Sequence, residues 1–318
     1  MDVMTVTLNP SLDREIIIEN FKSGEMFRIS NPSNALMEPG GKGVNVSKML
    51  SKLGIENMAL GFLGGFVGRV FLEKLLEDRN ITANFIFVEE ETRENIAILD
   101  LKNHTITQIN SSGPKLTDTD IEHFMQRYIN SLSLVDHVLI SGSVPPYTPD
   151  DVYAKMFSLA HERNITTYME ANGSHFNLAV KNACPEVVRV DLRKEKKYFD
   201  NELNDIKDYI YAAEDIIKHG AKLAVLSYHV EGDIIATNDG IWLFKVNETV
   251  DRSHLFGVGD SFMTGIIYYM LKNGKNFLES AKFGMATAIA KVHHVEKYIE
   301  NIDEIYKYFN YFETKKVK

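Results

Sequence analysis

The stretch LFGVGDSFMTGI, Leu255 to Ile266, sets Gly257, Val258, Gly259 and Asp260 directly ahead of an apolar helical run. A helix start carries unpaired N–H groups and partial positive charge, and glycines ahead of it let the backbone come close to a ligand. Together they make an anion cradle with a carboxylate at its rim. A carboxylate repels a bound phosphate, so its presence there calls for a reason. Two readings fit the residues: Asp260 is a general base facing a hydroxyl that attacks a phosphoryl group, or it is an N-cap after a tight turn.

Other charged and amide residues sit beside glycines or strand ends. Asp13 follows the first strand, Lys42 and Asn45 lie in and after the run EPGGKG (Glu38 to Gly43), and Arg93 and Asn95 begin a β-type run. Basic groups suit a phosphate already on a substrate, and Asp and Asn suit sugar hydroxyls; a polyol phosphate would use all of them. Common alternatives fail on spacing. Lys42 is followed by Gly43 where a P-loop needs Ser or Thr, and Val46 stands where a dinucleotide fingerprint needs its third glycine. Ile140-Ser141-Gly142-Ser143 is not a nucleophile elbow. The histidines are scattered, His293 and His294 being adjacent on a helix, and no transition-metal ligand spacing occurs.

The elements that must position these residues show a change of rhythm. Met4–Leu8 reads as a strand, Glu15–Phe21 and Met26–Ser30 as extended pieces, and Glu38–Gly43 as a glycine-rich loop. Val46, Met49, Leu50 and Leu53 then share a helix face that Gly54 ends. A strand over Met58–Leu63 and a helix over Arg69–Arg79 follow. Asn84–Val88, Asn95–Leu101 and Thr105–Asn110 read as a separate small sheet. From Thr117 helices alternate with strands at His137–Ser141, Thr166–Glu170, Val187–Asp191 and Leu223–Ser227, before a hairpin at Asp233–Thr237 and Ile241–Val246 and helices from Asp260 nearly to the end. Such alternation predicts an α/β fold with a doubly wound, mostly parallel sheet. The early β pieces predict an inserted lid over a ligand crevice.

Composition narrows the class further. The chain has 318 residues, 44% hydrophobic and 25% charged, with a net charge of −9. An acidic balance argues against general nucleic-acid binding, and Lys315, Lys316 and Lys318 read as a solvated tail. One cysteine, Cys184, allows no intrachain disulfide and fits a reducing compartment. The start MDVMTVTLNP lacks the pattern of a signal peptide, and no apolar run reaches membrane-span length. A soluble cytoplasmic protein without membrane or nucleic-acid partners is expected.

Six segments in order carry a resemblance: Thr7–Asp13 (TLNPSLD), Gly40–Leu50 (GGKGVNVSKML), Gly61–Gly65 (GFLGG), Thr92–Ile98 (TRENIAI), Ser141–Pro146 (SGSVPP) and Gly257–Ser261 (GVGDS). The chain resembles the ribokinase/PfkB sugar-kinase family over nearly its whole length, and within it the branch of 1-phosphofructokinase and tagatose-6-phosphate kinase. The resemblance implies one ribokinase-like unit over 1–318, its β lid built from about 13–36 and 89–112, and a homodimer paired through the lids. It implies ATP and Mg²⁺ as donor and cofactor and a ketohexose phosphate as acceptor. Family frequency favours fructose 1-phosphate over tagatose 6-phosphate and fructose 6-phosphate. Carried over by position, Asp260 matches the catalytic base, and Gly257, Val258 and Gly259 the anion hole. Asp13, Gly41, Lys42 and Asn45 match sugar-binding positions, and Arg93, with Asn95 nearby, a contact to the existing phosphate. Arg28 lies where lids of such kinases carry a basic residue, offered across the dimer. Arg189, Asp191, Ser227 and Gly232 fall on the nucleotide side with Gly257 and Gly259; no residue is assigned to metal.

Three departures fall mainly on that nucleotide side. The family's Lys-Pro-Asn reads Arg189-Val190-Asp191, with Lys194 where a Glu is usual and Glu195 one residue late. The family's Ser-Leu-Gly-x-x-Gly reads Ser227-Tyr228-His229-Val230-Glu231-Gly232, and Glu170 stands where Asp is common. These departures motivate a competing reading, a sugar-phosphate binder whose nucleotide side has decayed. A nicotinamide dehydrogenase has only the β/α rhythm behind it.

Overall fold

The computed structural model describes residues 1–229, 232–247, 255–294 and 298–318. Its large sheet is built on parallel strands that are apolar on both faces: β1 (Val3–Thr7), β4 (Asn57–Gly64), β5 (Ile81–Ala83), β6 (Ile86–Val88), β9 (His137–Ser141), β10 (Thr166–Glu170), β11 (Val187–Asp191) and β14 (Leu223–His229). Three antiparallel strands extend it: β15 (Gly232–Thr237), β16 (Gly240–Val246) and β17 (Phe312–Lys316). The order is β17-β16-β15-β14-β11-β10-β9-β1-β4-β5, with β6 also on β4, and β12 (Lys197–Tyr198) and β13 (Asn201–Glu202) form a separate two-stranded ribbon.

Because side chains alternate between faces, neighbouring residues of one strand feed different cores. Val138, Ile140, Met169 and Val188 pack with Phe157, Val180 and Ala213 on one face. Leu139, Tyr168 and Val187 pack on the other with Val46, Met263 and Ala286. The first face is covered by α3 (Asp118–Ser131), α4 (Val152–His161), α5 (Gly173–Ala183) and α6 (Ile206–Lys218). The second is covered by α1 (Lys42–Lys52), α7 (Val258–Asn273) and α8 (Phe277–Val292). The doubly wound α/β expectation is borne out.

A second sheet has the order β3-β2-β7-β8, formed by β2 (Ser11–Ile17), β3 (Ala35–Gly40), β7 (Arg93–Asp100) and β8 (Thr105–Asn110). Its register sets Asp13 between Glu38 and Asn95, and Ser11 between Gly40 and Arg93.

Several sequence expectations need correction. The run from Glu38 is no loop: it finishes β3, and α1 starts at Lys42. Pro39 is tolerated because β3 is an edge strand. Ile86–Val88 pairs with β4 in the large sheet, not with the lid, and Met26–Ser30 forms no strand. The helix read at Arg69–Arg79 is α2 (Gly65–Leu75), one turn earlier. The C-terminal helices end with α9 (Ile302–Tyr306), and the lysine-rich tail is strand β17, with Lys316 over the Trp242 ring at 5.4 Å. Val230 and Glu231, quoted in the serine-glycine segment above, lie outside the described residues. No helix among the described residues is long and apolar enough to cross a membrane. Cys184 closes α5, partly buried, and burial pushes its thiol up to about 12.

Candidate active site

In an open α/β sheet, ligands bind where the strand order reverses, outside the carboxyl ends of the strands. Here β1 lies between β4 and β9, so the chain winds outward from it in both directions. Thr7, Ser141, Glu170 and Asp191 end β1, β9, β10 and β11, and Ser227 lies near the end of β14. The glycine-flanked starts of α1 and α7 face the same crevice.

Asp260 is the third residue of α7 and does not cap it. The N-cap is Gly257, held at φ 78°, and it makes no side-chain cap bond. The buried Asp260 carboxylate instead accepts a hydrogen bond from Asn45 Nδ2 at 2.6 Å. The N-cap reading is therefore excluded. Desolvation pushes the Asp260 carboxyl up to about 6; Glu170 adds to the rise, while Lys42, Asn45 and Arg189 oppose it. That value lies in the range suited to a base at neutral pH.

Lys42 and Asn45 share the first turn of α1, which follows Gly41 at φ 107°. A Cβ at Gly41 would lie 2.8 Å from Thr7 Cγ2, and one at Gly43 would lie 2.5 Å from Thr7 Oγ1 and 2.9 Å from Ser141 Oγ. Glycine thus lets α1 start against the ends of β1 and β9. Lys42 Nζ donates to Glu170 Oε1 at 2.8 Å, and Arg189 Nη1 donates to the same oxygen at 2.6 Å. Arg189 Nη2 continues to Ser227 Oγ at 3.1 Å. Burial, which would raise the Glu170 carboxyl, is outweighed by Lys42 and Arg189, and the group is held below its ordinary value. Lys42 is likewise kept protonated: desolvation, which would lower it, is outweighed by Glu170 and Asp260.

Gly259 packs directly onto this ion pair: a Cβ there would stand 2.6 Å from Arg189 Nη1 and 2.8 Å from Glu170 Oε1. Gly259→Ala is expected to displace the pair and lower kcat/KM by roughly 10- to 100-fold, the scale of ångström-level misplacement in a preorganised site. Steady-state kinetics, with a circular-dichroism melt to confirm folding, checks it.

The smaller sheet contributes a second cluster. Asp13 Oδ1 accepts from Ser11 Oγ at 2.6 Å and from Asn95 Nδ2 at 3.1 Å. A Cβ at Gly40 would fall 2.0 Å from Asp13 Oδ2, so glycine makes room for this carboxylate. Arg93 donates to the backbone carbonyls of Asn9 at 2.9 Å and Ser111 at 3.0 Å, and its Nε is buried without a partner. Among the described residues no carboxylate stands at hydrogen-bond range of it, Asp13 acting on it only through space, which suits an anion. Arg28 is exposed on the segment after β2, apart from regular structure.

Beside Arg189 opens a cleft, polar at Arg193, Ser227, His229 and Asp233 and apolar at Val246, Phe262, Met285 and Ile289. Asp191 is not free: Arg193 grips it through Nε at 2.9 Å and Nη2 at 2.5 Å. Burial, which would raise the Asp191 carboxyl, is overridden by these bonds, which hold it well below the carboxylate range. Lys194 is exposed, and Glu195 Oε1 accepts from Asn172 Nδ2 at 3.4 Å. Gly232 opens β15 opposite His229, at the edge of the cleft.

The structure thus gathers Asp260, Asn45, Lys42, Arg189, Ser227 and the Gly257–Gly259 turn, and places Asp13, Asn95 and Arg93 together on the smaller sheet. It leaves Arg28 outside. Unpartnered buried atoms, which native proteins keep few of, occur at Thr7 Oγ1, Asn45 Oδ1, Arg93 Nε, Ser141 Oγ, Glu170 Oε2 and Arg189 Nε. Sequence reasoning missed Arg193, Asp233 and the bridging role of Glu170; a polar residue at the carboxyl end of an apolar strand was the available signal for Glu170.

Known proteins resemble the chain in sequence and in fold. The family model described as pfkB family carbohydrate kinase matches residues 23–302. A crystal structure described as a possible 1-phosphofructokinase from Thermotoga maritima is 44% identical, superposes with a TM-score of 0.97, and covers 100% of both chains. The 1-phosphofructokinase of Bacillus subtilis is 27% identical over 94% of this chain and 97% of its own. The tagatose-6-phosphate kinase of Staphylococcus epidermidis is 29% identical over 98% and 100%.

Proposed function

The chain belongs to the pfkB family of carbohydrate kinases, and on that premise we propose that it transfers the terminal phosphoryl group of ATP to a hydroxyl of a ketohexose phosphate, fructose 1-phosphate first among them. The observation that carries the chemistry is Asp260: a buried carboxylate, raised to about 6, beside an N-terminal glycine turn and bonded to Asn45 rather than capping its own helix.

Asp13 and Asn45 orient the sugar hydroxyls, and Arg93 with Lys42 receives the phosphate already present. Asp260 takes the proton of the attacking hydroxyl as its oxygen bonds to phosphorus and the bond to the leaving ADP oxygen breaks. The N–H groups of Gly257–Gly259 meet charge on the transferring group. Phosphoryl transfer depends chiefly on positioning and electrostatics. The apolar half of the cleft takes the nucleoside, and Arg189 and Arg193 face its phosphates.

Mg²⁺ fits as a companion of those phosphates, in keeping with its habit of using few protein ligands. Among the described residues no cluster of three His, Cys, Asp or Glu could hold a metal. Glu170 Oε2, buried and unpartnered, is the carboxylate oxygen available to it. When bound it would neutralise phosphate charge.

Leu36 on β3 and Ile109 on β8 are exposed lid hydrophobics. A homodimer paired through the lids would cover them and offer Arg28 across the pairing, in a cytoplasmic enzyme that draws on ATP. The reading is tested by ADP release with Mg·ATP against fructose 1-phosphate, tagatose 6-phosphate and fructose 6-phosphate. Turnover on one of them is expected. Sugar-phosphate binding without ADP from any would favour the non-catalytic binder that the departures at Asp191, Lys194 and His229 motivate.

A further inference from the structure

Tyr298 belongs to none of the segments that carry the family resemblance, yet it reaches the acceptor side of the crevice. Two contacts lay its segment along α1: Lys48 Nζ stands over the Tyr298 ring, 4.7 Å from its centroid, and Lys52 Nζ pairs with Glu300 at 3.2 Å. Residues 298 to 300 therefore run beside the turns 48 to 52, and Tyr298 sits at the end nearer Asn45, one turn before Lys48 and the residue that holds Asp260. Lys48 is buried and its ammonium is bonded to Glu38, the residue opposite Asp13 in the lid.

The Tyr298 hydroxyl is buried and has no hydrogen-bond partner among the described residues. Desolvation holds it well above its ordinary value, and the carboxylates of Glu38, Glu15, Asp13 and Asp260 add to this, so the phenol keeps its proton. Those carboxylates come from both walls of the crevice, three from lid strands β2 and β3 and one from α7. A phenol left unpaired there is costly to the fold. Packing does not require it, since a Phe ring would serve the Lys48 contact as well.

We propose that the Tyr298 hydroxyl is a substrate-binding group that hydrogen-bonds a hydroxyl of the acceptor sugar; the inference rests on the sugar-phosphate kinase reading above. In that reading the substrate's phosphate lies at the Arg93 and Lys42 end. A sugar hydroxyl can both donate and accept, and so satisfies the phenol and a neighbouring carboxylate together. Tyr298 thereby fixes which end of the ketohexose phosphate enters beside Asp260.

Tyr298→Phe tests this, in titration calorimetry with each of the three ketohexose phosphates and in steady-state kinetics. The variant should bind the accepted sugar phosphate about 5- to 20-fold more weakly, the effect of one lost hydrogen bond in a buried site. KM for ATP should be unchanged, and the melting temperature unchanged or higher, since an unpaired buried hydroxyl has been removed. A structural role would instead lower the melting temperature and leave sugar affinity alone. Equal affinity in the two proteins would overturn the Tyr298 assignment and leave the kinase reading intact. Failure of the wild-type protein to bind any of the three sugars would overturn both.

Discussion

Asp260→Asn is expected to lower kcat by about 10²- to 10⁴-fold, the range for a lost general base, while sugar-phosphate affinity stays close to wild type. Its pH behaviour separates chemistry from structure. Wild-type rate should rise with pH through about 6 as Asp260 ionises, and the variant should lack that limb. Stability should move the other way. Holding this carboxylate ionised in the fold at neutral pH costs about 3 kcal/mol relative to water. The sign follows from a carboxyl raised from 3.8 to about 6: the wild-type cost is absent below the lower value, grows as pH rises between the two, and is full above the upper. Asp260→Asn should therefore melt higher than wild type at pH 8, with the advantage closing towards pH 4. A variant with near-full turnover would end the assignment.

Glu170→Ala carries the largest expected structural penalty. Glu170 and Arg189 are 2% and 4% exposed at their side chains, and one carboxylate oxygen serves both Arg189 and Lys42. Removing it leaves a buried guanidinium without its bonded counter-charge, an effect of roughly 3–5 kcal/mol, read by urea titration. Glu170→Gln isolates the electrostatic part. Glu170 helps to raise Asp260, so the acid limb of the rate should move to lower pH in this variant. An unchanged limb in Glu170→Gln, with an unchanged urea midpoint in Glu170→Ala, would show that the bridge is incidental.

Most of the parallel strands were legible because burial on both faces writes them as apolar runs: β9 reads HVLIS and β11 reads VVRVD. The short β5, Ile81–Ala83, was not, and neither were two strands whose residues are tied to sheet edges. β3 reads ALMEPG, whose proline and glycine resemble a loop, and β17 reads FETKK, whose lysines resemble a tail. Edge strands carry such residues because they blunt pairing with other chains. The glycine turn and Asp260 announced themselves locally. Their partners could not, since Asn45 lies 215 residues from Asp260 and Lys42 lies 128 from Glu170. Only the sheet order, which brings the ends of β1, β9 and β10 together, turns those separations into contacts.

The lone thiol has a practical consequence. Cys184 is half-buried at the end of α5, and a group raised to about 12 is almost wholly un-ionised at neutral pH, whereas maleimides and iodoacetamides capture the thiolate. A cysteine introduced at Ile109, on the exposed outer strand of the smaller sheet, would react in an otherwise silent background. The native chain can thus carry a single fluorophore or spin label on that sheet, and the rate of labelling reports directly whether the strand faces water or a second copy of the chain.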